Sequence, residues 1–192
     1  MEKTLPIYKL VIKDQDESMG VDFVALVDEP AIQRNFFVFD NKIRFAADKE
    51  RRIITGALMI ADMPIYRRNE KMGEFYVVFD KVQIEKIAQR FMKNGFTDNV
   101  NKMHSANDLV DGVYMYESFI SDNQRGIRPP VGFEDTPEGT WFGSYKVENE
   151  DVWNNFIKSG EFKGFSVEGT FDLVPERTAL ESEILDIINK IK

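Results

Sequence analysis

Apolar and polar positions along this chain fall mostly into short runs of period two, broken by Gly, Pro, Asn and Asp. That pattern predicts strands. PIYKLVIKD (6–14) is the first, and VDFVALVDEPAI (21–32) is the second, stopped by Pro30. NFFVFDNKIRFAAD (35–48) is aromatic and β-like, with a turn near Asp40 and Asn41. RRIITGALMIAD (51–62) is a largely apolar strand closed by Pro64, and GEFYVVFD (73–80) is another. NVNKMHS (99–105) and GVYMYESFIS (112–121) read as strands separated by a polar turn. TWFGSYKV (140–147) and GFSVEGTFDLV (164–174), the latter ended by Pro175, complete the set.

Three windows change period to that of a helix. In the first, Ile84, Ile87, Ala88 and Phe91 recur on one face; Asp80 is its N-cap, with Gln83 three residues on, and Gly95 its stop. In the second (149–160), Asn149 caps a stripe of Val152, Trp153, Phe156 and Ile157, and Gly160 ends it. The third, TALESEILDIINKIK (178–192), places Leu180, Ile184, Ile187, Ile188 and Ile191 on one side. Residues 121–139 carry three prolines and three glycines without a period, which predicts a long loop of the kind that forms lids or binding loops. Many strands with two or three inserted helices predict an α+β fold: a curled, mostly antiparallel sheet or small β-barrel with helices packed on it. The expected organisation is a single domain over 1–175, followed by a C-terminal amphipathic helix over 176–192.

Composition narrows the chemistry. The chain has 192 residues, a formal charge of −8, no cysteine and one histidine. The acidic balance argues against generic nucleic-acid binding. Without cysteine there are no disulfides, thiolate nucleophiles or cysteine-based metal sites, and one histidine excludes a multi-histidine metal centre. A carboxylate-only Ca²⁺ or Mg²⁺ site stays open, but no EF-hand spacing, phosphate loop, G-x-S-x-G elbow or H-E-x-x-H motif occurs, and the expectation is no cofactor and no metal. The N-terminus lacks the apolar run of a signal peptide and no stretch is long enough to span a bilayer, so the expectation is a soluble, intracellular protein.

What remains is serine chemistry. On the strand KGFSVEGTF (163–171), Ser166, Glu168, Thr170 and Asp172 share one face, while Phe165, Val167, Phe171 and Leu173 share the other. The plain reading is a strand with a wet face and no catalytic role. The chemical reading needs a base for the hydroxyl and a group to orient that base. His104 is the one histidine available, and its ordinary pKa suits a general base near neutral pH. Residues i and i+2 on a strand lie about 6.5–7 Å apart, so an imidazole from a neighbouring strand could touch both Ser166 and Glu168. Glu117, on the strand after His104, is the alternative orienting acid. Arg125 and Arg128 in the long loop could bind an oxyanion or carboxylate, or be plain surface charges.

At these residues the sequence resembles the phage prohead protease superfamily, capsid-maturation serine proteases related to herpesvirus assemblin. The similar segments are VDFVALVDEPAIQRNFFVF, GALMIADMPIYRR, NKMHS and GTWFGSYKVENEDVWNNFIKSGEFKGFSVEGTF, which span most of 21–171. They look closest to the branch of phage serine proteases found in the structural-gene clusters of tailed phages. The resemblance implies an assemblin-like fold and carries the family's histidine onto His104 and its nucleophile onto Ser166. The second histidine of the herpesvirus enzymes is missing here; phage relatives look to use an acid, which falls on Glu168, with Glu117 behind it. The herpesvirus oxyanion arginines have no counterpart after Ser166, and backbone N–H groups near 121–139 are a candidate source.

The implied activity is endopeptidase cleavage through an acyl-enzyme. The implied partners are scaffold and major capsid proteins as substrates, and the chain itself. The implied place is the interior of an assembling prohead in the cytoplasm of an infected bacterium. A homodimer or higher oligomer through the C-terminal helix is a further expectation. The rivals are a catalytically inactive assembly protein of the capsid with the same fold, a peptide- or protein-binding module and, more remotely, a small-ester hydrolase.

Overall fold

A computed structural model describes residues 5–28, 45–105 and 108–176. The described chain is α+β and strand-dominated. Its elements are β1 (Ile7–Val11), β2 (Gly20–Val27), β3 (Ala46–Asp48), β4 (Ile53–Met59), β5 (Ile65–Asn69), β6 (Gly73–Val78), α1 (Lys81–Lys93), β7 (Val100–Lys102), β8 (Val113–Ile120), β9 (Trp141–Val147), β10 (Gly164–Thr170) and β11 (Asp172–Pro175). The strands form three sheets, ordered β11-β1-β6-β5, β10-β2-β7 and β3-β4-β9-β8. Most pairs are antiparallel; β1 with β6 and β2 with β7 are parallel. The sheets do not close into a barrel. Closure needs an unbroken ladder, and here the chain leaves the three-stranded sheet after Thr170 and enters a four-stranded sheet at Asp172. The helix expected over 178–192 lies outside the described residues, as do 29–44 of the two strands expected over 21–32 and 35–48.

Local signals account for α1. Asp80 Oδ1 accepts from the N–H of Gln83 at 2.9 Å, the N-cap bond that frees the first turn from an orphan donor. Gln83 does not reach back to close a capping box; its Oε1 accepts from Ile12 N at 3.0 Å and so ties the helix to the end of β1. Ile84, Ile87, Ala88 and Phe91 are buried, with Phe91 edge-on to Trp141 at a ring separation of 5.4 Å. The second expected helix is shorter than its period predicts and more widely wound. Asn149 Oδ1 does accept from Val152 N at 3.1 Å, but 152–157 form a π-helical turn, closed by Lys158 N donating to Trp153 O at 2.8 Å. Val152, Trp153 and Ile157 still bury themselves in the main core.

β5 is an element that the alternation does not announce: IYRRN has one buried residue at its start and pairs antiparallel with β6. The 121–139 segment is held down rather than free. Asp122 and Ile127 form a bridge, and Phe133 is buried against Phe142 in a small satellite core with Ala57, Ile60 and Met63. No helix among the described residues is long and apolar enough to cross a membrane.

Candidate active site

β10 places Ser166 opposite Ala25 of β2, and β2 in turn places Ala25 opposite Asn101 of β7. Ser166, Ala25 and Asn101 thus form one row across the sheet, on one face. Strands lie about 4.8 Å apart, so the two outer members of the row are roughly 10 Å apart at Cα. Glu168 follows Ser166 on the same face, opposite Phe23. Immediately after Glu168 the register shifts by one, because β2 carries one extra residue there, Asp22. Such bulges bend a strand and re-aim its side chains.

The wet face expected of β10 is not wet at Ser166. The residue is 8% exposed, and Phe165 on the other face 3%. Alternation along a strand says which residues share a face but not whether that face is covered; here β10 is covered on both sides at its start and opens to solvent only towards Gly169 and Thr170.

His104 does not sit on a strand. β7 ends at Lys102, and Ser105 N donates to Lys102 O at 3.0 Å to close a turn over Met103 and His104. Both residues have left-handed backbones, with φ of 51° and 61°. Two successive positive φ values within such a bond are the mark of a type I′ turn, which normally takes Asn or Gly. For side chains with a Cβ it costs roughly 1–2 kcal/mol per residue. The turn is locked at its base by Met103 N donating to Leu26 O at 3.1 Å and by the Lys102–Asp108 ion pair at 3.2 Å.

From this turn the imidazole reaches back over the sheet. His104 Nδ1 stands 3.2 Å from Glu168 Oε1, with the two side chains 43% and 30% exposed. The same carboxylate oxygen accepts from Asn101 Nδ2 at 2.6 Å. Of the two acids considered from the sequence, Glu168 is therefore the one beside His104. Glu117 lies in another sheet, opposite Ser144 on β9, where its charge and burial together push the Tyr116 phenol up, burial being the larger cause. The histidine comes from the end of β7, two strands from β10, rather than from a neighbouring strand. Ser166 Oγ and His104 are not hydrogen-bonded to one another among the described residues.

A cleft of about 540 Å³ lies on the other flank of β10. Phe165, Ser166, Val167, Glu168 and Gly169 all line it, so it runs along the strand's edge rather than over one face. This edge has no ladder partner among the described residues, since β10 pairs only with β2. The far wall is apolar, built from Leu10, Ile60, Phe75, Phe79 and Leu173, with Arg67 as its one cation. Loss of water around the Arg67 guanidinium holds its pKa below the ordinary arginine value. No residue of the 121–139 segment lines this cleft, so neither Arg125 nor Arg128, nor the backbone N–H groups there, border it. His104 and Asn101 do not line it either; Ser166 and Glu168 both border the cleft, and Glu168 makes the link to Asn101 and His104.

Asn101 is the residue that sequence reading missed. It is 1% exposed, and its Oδ1 has no partner. The available signal was its place two residues before Met103 in a mostly polar run, but pairing with Glu168 depends on a parallel contact that no local pattern reports. Among the described residues no group of three or more His, Asp or Glu side chains converges in a way that could hold a metal ion.

The family model described as "Putative phage serine protease XkdF" matches residues 40–175. That span contains His104, Glu117, Ser166 and Glu168. No curated protein and no solved structure matches the chain.

Proposed function

The chain belongs to the putative phage serine protease XkdF family, and from that premise we propose that it is a serine endopeptidase of phage assembly, with Ser166 as nucleophile, His104 as general base and Glu168 as the acid that orients the histidine. The observation that carries this reading is the 3.2 Å approach of His104 Nδ1 to Glu168 Oε1, made by an acid that shares a strand face with Ser166 and lies two residues from it. An ionised carboxylate at Nδ1 keeps a proton on that nitrogen and leaves Nε2 bare to act as base.

In the proposed mechanism a peptide seats along the edge of β10. Ser166 Oγ attacks the scissile carbonyl while its proton passes to His104 Nε2. Collapse of the tetrahedral adduct breaks the C–N bond, and the leaving amine takes that proton. Water then attacks the ester, giving a proton to His104, and the acid product leaves with the hydroxyl of Ser166 restored. The Ser166–His104 hydrogen bond forms as the substrate seats, since catalytic bonds are often loose before the Michaelis complex. The proposed substrates are scaffold protein, major capsid protein and the chain itself, inside a prohead in the bacterial cytoplasm. Kinship with assemblin and self-association through 178–192 belong to the same proposal.

One observation favours a second reading, a catalytically inactive assembly protein: Ser166 is largely buried and its hydroxyl is not bonded to His104. Co-expression with the capsid and scaffold proteins separates the two. Intact-mass spectrometry should show trimmed partners or trimmed protease with the wild type, and full-length chains with Ser166→Ala and with His104→Ala. Identical intact masses for all three, together with no labelling of Ser166 by a fluorophosphonate, would sink the protease reading.

A further inference from the structure

Asn101 occupies a costly position. A buried acceptor without a partner is unfavourable by the full loss of its hydration, and Asn101 Oδ1 is one of the two such side-chain atoms in the described chain, the other being the Tyr145 hydroxyl. An apolar side chain of similar size would avoid that cost. The amide cannot turn round to relieve it, because Oδ1 would then face the carboxylate of Glu168, two acceptors in contact. The bond that holds the amide in place is short and charge-assisted, 2.6 Å from Nδ2 to Glu168 Oε1. Places where a fold tolerates a local penalty of this kind tend to be functional.

The geometry says what the bond does. Glu168 has to cross the middle strand to meet His104. Ala25, fully buried between Ser166 and Asn101 in the row, puts only a methyl group beside the Glu168–Asn101 contact. A glutamate has three rotatable bonds and, at 30% exposure, water to turn towards. Asn101 donates to the same oxygen that faces Nδ1, so it fixes which carboxylate oxygen faces the imidazole. Lys102 and Asp108, charged residues on either side of His104 in the chain, pair with each other at 3.2 Å.

We propose that Asn101 is a positioning residue: by pinning Oε1 of Glu168 against Nδ1 of His104, it fixes the imidazole in the Nδ1–H tautomer and leaves Nε2 as the base. The consequence for catalysis rests on the protease reading, but the tautomer does not. With one histidine in the chain, ¹⁵N spectroscopy of the imidazole reports the tautomer without ambiguity, on the intact protein and with no substrate.

The test compares wild type, Asn101→Leu and Glu168→Gln, each at a pH where the imidazole is neutral. The expected result is the Nδ1–H tautomer in wild type and a return in both variants towards Nε2–H, the form that imidazole favours when nothing holds Nδ1. Fluorophosphonate labelling of Ser166 should fall by about 10- to 100-fold in Asn101→Leu, the effect expected of one lost charge-assisted hydrogen bond. Asn101→Ser, which keeps a short donor, guards against a leucine that does not fold and should recover part of the Nδ1–H signal. Nδ1–H retained in folded Asn101→Leu would overturn the proposal and make Asn101 a structural residue only. A wild type that shows Nδ1–H, lost in both variants, but never labels at Ser166 would uphold the positioning role while removing the protease reading.

Discussion

The backbone of Gly169 passes so close to Gly20 that a Cβ built on Gly169 would lie 1.8 Å from the Gly20 carbonyl oxygen. Gly169 is exposed to solvent, so burial alone would mark it as tolerant. The contact is the inner side of the bulge that follows Glu168, where β10 presses against the start of β2.

Gly169→Ala should therefore destabilise the fold by about 3 kcal/mol, at the upper end of overpacking effects, because a rigid backbone atom rather than a side chain has to move. Gly126→Ala is the control. Gly126 has φ +72° but nothing within 4 Å of its Cβ position, so it should cost only about 1 kcal/mol from its left-handed backbone. Equal denaturation midpoints for the two variants would show that the bulge yields freely. The same experiment bears on the site, since a shifted bulge moves Glu168.

The turn that presents His104 gives a prediction of opposite sign. Met103 has φ 51° and is 47% exposed, so it carries the strain of a left-handed residue with little packing in return. Asn adopts this backbone more readily. Met103→Asn should raise stability by about 1 kcal/mol in thermal or denaturant unfolding. A destabilised variant would mean that the exposed thioether makes contacts the described residues do not account for. His104 shares the strain at φ 61°, but there the imidazole is used against Glu168.

These two cases show where the sequence could be read and where it could not. α1 was legible in its cap, stripe and stop because these signals are local: Asp80, the 84–87–88–91 positions and Gly95 with φ +72°; the partner that Gln83 takes, Ile12 on a distant segment, was not. The β10 alternation was legible as well, and it places Ser166 and Glu168 on one face. The burial of Ser166 was not, since coverage of a face depends on what packs there from elsewhere in the chain. His104 was expected at a strand end, but its strand stops at Lys102, because Met103 and His104 turn left-handed with neither Asn nor Gly to announce it. Asn101 became visible only through the parallel β2–β7 pairing. Parallel contacts join distant segments, and neither turn residues nor periodicity record them.

Asp22 supplies a prediction in pH. It is the extra residue of the β2 bulge, and loss of water raises its carboxyl pKa above the ordinary aspartate value. A raised acid favours its neutral form in the folded chain. Its contribution to stability is present below the unfolded value and is lost as pH rises through the folded one. Asp22→Asn cannot ionise, so it should raise the melting temperature near pH 7 and have little effect at about pH 3. Asn99 donates to the backbone carbonyl of Asp22 at 2.9 Å, a bond that the substitution leaves in place. A gain of the same size at both pH values would assign the effect to packing rather than to charge.

The choice between the two acids is the sharpest test of the site. Both are glutamates on strands, and both were candidates from sequence. Glu168 faces His104 Nδ1 at 3.2 Å and holds the Asn101 amide at 2.6 Å; Glu117 is paired across a different sheet with Ser144. If Glu168 orients the base, Glu168→Gln keeps the side chain's shape but turns a pure acceptor into a group that can also donate. The neutral imidazole then loses its reason to carry the proton on Nδ1. On the scale set by the equivalent change in a serine protease triad, acylation of Ser166 should fall by about 10³- to 10⁴-fold. Glu117→Gln should leave the rate unchanged, because Glu117 lies in a different sheet, where its charge acts on Tyr116 and Arg51. The measurement is the rate of fluorophosphonate labelling of folded variants, with unfolding midpoints recorded alongside. A loss in Glu117→Gln that matches the loss in Glu168→Gln would contradict the assignment. So would a Glu168→Gln variant that labels as fast as wild type, since the 3.2 Å contact would then be an incidental surface pair.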